Sequence, residues 1–182
     1  MIGAFWLFLS AANATTVPRL ELRELSRAAE VVVHGQVIRH WPAWDPSHRF
    51  IWTHYAIQVR DRLKGGAADT TVISEPGGIV NGMGMKVAGV PEYRDGEEVV
   101  VFLHRMPNGY WRCYGLMQGK FTVAGDGGGE KRVRADLSGS DTIETRGKLT
   151  GKARTAGTSL ESLNGLTLTE FKRRILREVG RP

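Results

Sequence analysis

The residues able to do chemistry are few and scattered. Five histidines occur: His34, His40, His48, His54 and His104. None are spaced i, i+4, the pairing a zinc protease helix uses, and no His-Glu-x-x-His run is present. His34 and His54 fall in segments expected to be strands and could be neighbours. A two-histidine metal site would still lack partner ligands, so ordinary strand or surface histidines are the expectation. The single cysteine, Cys113, lies between Arg112 and Tyr114. A catalytic thiol needs a lowered pKa and a base nearby; a small semi-buried packing residue is the simpler reading. No Gly-x-Ser-x-Gly elbow accompanies the serines. No constellation here supports an enzyme, a metal site or a cofactor.

Two groups of residues suit binding better. Gly77-Gly78-Ile79-Val80-Asn81-Gly82-Met83-Gly84-Met85 is glycine-rich. It lacks the Lys-Ser/Thr of a P-loop and the strand–GxGxxG–helix setting of a dinucleotide site. One reading is tight backbone packing and bulges in a curved sheet. The other is a surface where Gly78, Asn81, Met83 and Met85 meet a partner. The second group is aromatic. Trp41 and Trp44 stand in a stretch, Arg39 to Arg49, that reads as a loop, and Trp52 shares a strand face with His54 and Arg60. Such rings can bind sugar or protein, or pack over the end of a sheet.

These residues need elements to position them. Pro18 to Glu30 has apolar residues at helical spacing, with Pro18 in the first turn, where its missing N–H costs nothing. Val31 to Ile38 is a short β-branched strand. Phe50 to Leu63 alternates with period two, Ile51, Thr53, Tyr55, Ile57 and Val59 on one face, as a half-buried antiparallel strand does. Thr70 to Ser74 is a further strand, turned by Glu75-Pro76-Gly77-Gly78, and residues 82–90 form a weaker one broken by glycines. Glu97 to Arg105 carries the run Val99-Val100-Val101-Phe102-Leu103, typical of a central strand. Tyr110 to Val123 reads as one long strand or a bent pair, with Gly115 and Gly119 as bulge sites. Residues 126–166 are rich in Gly, Ser and Thr and read as flexible loop, with one strand near Lys131–Ala135. Thr167-x-x-Glu170 is a capping box that opens a terminal amphipathic helix over 167–182. Its Leu168, Phe171, Ile175 and Val179 face should dock on the sheet. The expected fold is mainly β: a small closed Greek-key OB-like barrel of five to six antiparallel strands, with a short N-terminal helix and a C-terminal amphipathic helix. A β-sandwich is the alternative.

Residues 1–14, MIGAFWLFLSAANA, are uncharged, too short to span a bilayer, and end in a small-x-small cleavage pattern. They read as a signal peptide, although no Lys or Arg precedes the apolar run. No further transmembrane segment follows. The 182-residue chain is 41% hydrophobic and 24% charged, enough for one domain with its own core. A single cysteine rules out an internal disulfide framework. The net charge of +6 is spread along the chain, so it gives no concentrated nucleic-acid footprint.

The order of three motifs resembles netrin-type (NTR) or TIMP-like modules. Ala29-Glu30-Val31-Val32-Val33-His34-Gly35-Gln36-Val37 is similar to their opening strand. Val59-x-x-x-Leu63-Lys64-Gly65 is similar to a second element, and Gly96-Glu97-Glu98-Val99-Val100-Val101-Phe102-Leu103 to a third. The resemblance covers roughly residues 17–123 and implies an OB-type barrel in an exported protein, placing the module at 15–125. Animal members are disulfide-rich, and their metalloprotease inhibitors use an N-terminal cysteine to chelate zinc. Here the mature end would be Thr15-Thr16-Val17-Pro18, with no cysteine.

The expected function is thus a non-enzymatic binding or protein-interaction module, exported to the periplasm or outside the cell. Its partner would be an envelope or extracellular protein or glycan. A single-stranded nucleic-acid-binding OB fold and a TIMP-like inhibitor are the alternatives, and export argues against nucleic acid. If the first fourteen residues are a leader, N-terminal sequencing of the exported product should begin at Thr15; an intact Met1 on a cytoplasmic product refutes it.

Overall fold

The computed structural model describes residues 19–125, 129–135, 137 and 159–180. The expected leader and much of the 126–166 stretch lie outside the described residues. The fold is mainly β with a short helix at each end. Helix α1 (Leu22–Ala28) is followed by strands β1 (Val31–Trp44), β2 (Ile51–Lys64), β3 (Thr70–Pro76), β4 (Gly78–Val80), β5 (Met83–Met85), β6 (Glu98–Arg105), β7 (Trp111–Cys113), β8 (Lys120–Gly125) and β9 (Lys131–Ala135). Helix α2 (Leu168–Val179) closes the chain, and 3₁₀ turns form at Leu116–Gly119 and Leu160–Leu163.

Nine strands form among the described residues, not five or six, for three physical reasons. The glycine-rich segment folds on itself as a β4–β5 ribbon. The stretch Tyr110–Val123 is interrupted by a 3₁₀ turn entered through Gly115 in left-handed conformation, leaving β7 and β8 as separate strands. And β9 pairs along β8. Arg39–Arg49 is also more ordered than its prolines and tryptophans suggest. Strand β1 continues through Trp44, paired with β2 on one side only. Pro42 is tolerated because that half of β1 is an edge.

Strand β6 organises the sheet. One edge pairs with the first half of β1, from Val31↔Leu103 to Gln36↔Glu98. Its other edge is shared, β8 along Glu98–Val101 and β7 along Leu103–Arg105. Strand β2 pairs antiparallel with β1 and β3, and β3 meets β7 in parallel at Ile73↔Trp111. The pairings therefore run β1–β2–β3–β7–β6 and return to β1.

Because side chains alternate across a strand, the continuous apolar run of β6 serves two cores. Val99, Val101 and Leu103 pack with Val31, Val33, Tyr55, Ile57 and Ile73. Val100 and Phe102 face the opposite way, onto α1, α2 and β8. Helix α2 begins as expected, with the Thr167 hydroxyl accepting the Glu170 N–H at 3.1 Å. It buries Phe171 and Ile175 completely, the Phe171 ring 4.6 Å from Phe121. Helix α1 starts at Leu22 and not at Pro18, because the Glu24 carboxylate accepts the Glu21 N–H at 2.8 Å. Its C-terminal carbonyls at Ser26, Arg27 and Ala29 are all held by the Lys64 ammonium from the end of β2, at 2.6–2.9 Å. A cation at that end also suits the helix dipole. Leu160 and Leu163 are buried in the same core, although the segment reads as loop.

If α2 is integral, Phe171→Ala should cost ~3–5 kcal/mol by the cavity it leaves. Leu176→Ala, on the half-exposed side of the same helix, should change stability by about 0.5 kcal/mol or less. Urea unfolding of the two variants measures both.

Candidate functional site

The outer halves of β1 and β2 carry the most distinctive chemistry. In their ladder Trp41 faces His54, and Ala43 faces Trp52. Alternation puts Arg39, Trp41, Trp52 and His54 on one face and His40, Pro42, Thr53 and Tyr55 on the other. The first face is an aromatic strip. Trp41 and His54 lie 5.3 Å apart between ring centroids. Tyr110, from the turn before β7, sets its ring edge-on to His54 at 5.5 Å and to Trp52 at 5.1 Å. Arginines flank the strip at both ends: Arg39 lies 4.5 Å over Trp41, and Arg112 5.8 Å from the Trp52 ring. All four rings are half-buried, so each keeps a solvent-facing part. His54 is held by Ser74 Oγ at 2.7 Å, and burial pushes its pKa down, so the strip's own ring favours the neutral form.

Behind these strands lies a half-open cavity of about 410 Å³, bordered by the ribbon and the segment that follows it. Gly78, at the ribbon's root, has φ +134, and a Cβ there would come within 2.5 Å of Thr53 Oγ1. Only glycine permits that close approach. The cavity floor carries Glu75, 1% exposed. Its Oε1 accepts the Cys113 N–H at 2.6 Å and its Oε2 the Arg112 Nε–H at 3.3 Å. Desolvation outweighs these partners and raises the Glu75 carboxyl to about 7. Tyr93 is also buried, and its hydroxyl has no hydrogen-bond partner, the Cys113 thiol being its polar neighbour. Burial first, and then Glu75, push the Cys113 thiol far up, which disfavours the thiolate a nucleophile needs. A wider hollow of about 650 Å³ adjoins residues 86–94, but Glu97 and Lys120 on its wall already neutralise each other at 2.7 Å.

The candidates from the sequence separate into different places. Trp41 and Trp52 share the strip. Trp44, the last residue of β1, does not join it; it stacks with His48 of the β1–β2 loop at 6.3 Å. That loop is organised by Asp45, whose carboxylate accepts the Ser47 hydroxyl and the N–H groups of Arg49 and Phe50, which hold its pKa down. Gly78 and Met85 line the cavity. Asn81 sits in the ribbon's turn with φ 51, followed by Gly82 with φ 79, a hairpin geometry that Asn-Gly favours. Met83 projects beside it, 55% exposed. His34 and His54 are not neighbours: His34 pairs with Asp61 and His54 with Trp41, towards opposite ends of the ladder. Among the described residues no group of three His, Cys, Asp or Glu side chains could hold a metal ion.

Residues overlooked in the sequence are Glu75, Tyr93, Tyr110 and Arg112. Glu75 had a signal. The inward positions of β3 are Thr71, Ile73 and Glu75, so extending the strand by one residue places a carboxylate inside. Compared with known proteins, the chain matches no family model, no curated protein and no solved structure.

Glu75 binds its proton more tightly folded than unfolded, so its contribution to stability is complete below about pH 4.5 and is lost as pH rises through about 7. The full effect is on the order of 3 kcal/mol. His54 and His104, whose pKa values burial lowers, give the opposite slope. The diagnostic is therefore a difference: from pH 5 to 7.5, the stability of Glu75→Gln should rise relative to wild type, as read by denaturant unfolding at each pH.

Proposed function

We propose that this chain is a non-enzymatic binding module on an OB-like barrel similar to netrin-type domains. It is exported, and it holds an envelope or extracellular protein or glycan against the strip Trp41–His54–Tyr110–Trp52. The observation that carries the reading is the gathering of four rings and two guanidinium groups on one sheet face. Partly exposed rings offer area for contact at little entropy cost, and an arginine over a ring supplies directed donors beside it. The circuit β1–β2–β3–β7–β6–β1 supports the barrel reading, since an OB fold is a five-stranded, partly open Greek-key barrel. Export rests on residues 1–14. No helix among the described residues is long and apolar enough to cross a membrane.

A second reading is single-stranded nucleic acid, favoured by the same juxtaposition of stacking rings with Arg39 and Arg112. The two differ in their response to salt. Affinity for an oligonucleotide should fall steeply with salt through counterion release, whereas a glycan or protein partner should show a shallow dependence. The mature domain should retain envelope glycan or protein fractions at physiological salt. Trp41→Ala and Trp52→Ala should each weaken that binding by about 2 kcal/mol, while Phe50→Ala, an exposed ring elsewhere in the loop, leaves it unchanged. Tight oligonucleotide binding lost in Trp52→Ala would instead establish the second reading.

A further inference from the structure

We propose that the cavity behind β1 and β2 is a binding site for a small organic amine, its ammonium head on the Glu75 carboxylate and its compact apolar body against Ile79, Met85, Val87 and Val90. The volume of about 410 Å³ lies within the range of small-ligand sites, and the residues combine apolar walls with a few polar groups, as such sites do. The polar floor is incomplete. A carboxylate offers about four lone-pair positions; Glu75 uses one for a backbone N–H and one for a long contact to Arg112. Beside it the Tyr93 hydroxyl is fully enclosed, with the Cys113 thiol as its polar neighbour. An ammonium group carries three N–H donors and a positive charge, which matches the vacant acceptor positions on Glu75.

The charge balance selects the class. A carboxylate ligand would meet Glu75 and Glu92, both of which line the space. A neutral alcohol could donate one hydrogen bond but brings no charge. Lys86 opposes a cation and Glu92 favours one, so Glu75 decides. The groups facing Glu75 are Arg112 and Cys113 from β7, Tyr93, and Tyr55 across the cavity on β2. Arg112 forms an ion pair with Glu75 through one long contact, Nε to Oε2 at 3.3 Å, while Lys86 and His40 line the same space. That is consistent with the raised pKa of Glu75 at about 7. A bound ammonium adds a second positive charge beside Arg112 and favours the ionised carboxylate, so binding at pH 6 releases the Glu75 proton to solvent. The site is separate from the aromatic strip and stands whichever ligand the strip takes.

Titration of the full chain with benzylamine, benzyl alcohol and benzoate, followed by NMR, tests this. Benzylamine should shift Met85, Val87 and Tyr93 resonances, with an apparent Kd ~10-fold or more tighter at pH 8 than at pH 5.5, because only the ionised fraction of Glu75 binds. Benzyl alcohol and benzoate should bind at least ~10-fold more weakly. Glu75→Gln should abolish the preference for the amine. Should that variant fail to fold, Val87→Trp, at a 40% exposed position lining the cavity, fills the space while keeping Glu75 and should abolish the shifts. The proposal is overturned if benzylamine leaves these resonances unmoved, if all three probes act alike, or if either folded variant binds benzylamine as wild type does.

Discussion

Strand β6 has no solvent-facing side. From Val99 to Leu103 five consecutive residues are fully buried, and each edge of the strand is taken. An apolar strand of this kind cannot belong to a sheet with one wet face. It needs two separate apolar layers, and the rest of the chain supplies them. The circuit through β1, β2, β3 and β7 encloses one face. Helices α1 and α2, with Phe121 from β8 and the Leu160–Leu163 turn, cover the other. That is why the terminal helix is a structural member: without it Phe102 and Phe121 would face water.

The outer half of the β1–β2 ladder is built differently. Here β1 has left β6 behind, and only period-two alternation decides what each side chain meets. One face collects the rings and the arginines, and the reverse face forms a cavity wall. Arg112 stands between the two, its Nε on Glu75 and its guanidinium beside Trp52. The strip and the cavity are two sides of one two-stranded element, and a single side chain touches the chemistry of both.

Much of the architecture could be read from the chain. The alternation of Ile51 to Val59, the apolar run of β6 and the capping box at Thr167 are local patterns, and local patterns survive folding. What escaped depended on long-range pairing. Arg39–Trp44 looks like loop until β2 is laid beside it, because Pro42 is acceptable only on an unpaired edge. Glu75 looks like turn chemistry until β3 is extended to Pro76. Tyr110 and Arg112 carry no motif; they matter because β7 sets them against Trp52, over fifty residues earlier in the chain. The candidate site was therefore visible in Trp41, Trp52 and His54 and invisible in Tyr110 and Arg112.

The ionic cluster at the opposite end of β2 gives the molecule a polarity. His34, 4% exposed, has Nδ1 at 2.7 Å from Asp61 and Nε2 at 2.7 Å from Glu98. Asp61 continues to Lys172 on α2 at 2.6 Å, and Glu98 to Lys131 on β9 at 2.7 Å. These contacts, with Lys64 on the end of α1, fasten both terminal helices to one pole of a 14-residue strand about 45 Å long. The aromatic strip occupies the other pole. Anything joined at either helix would therefore meet the end of the β1–β2 ladder that lies away from the rings.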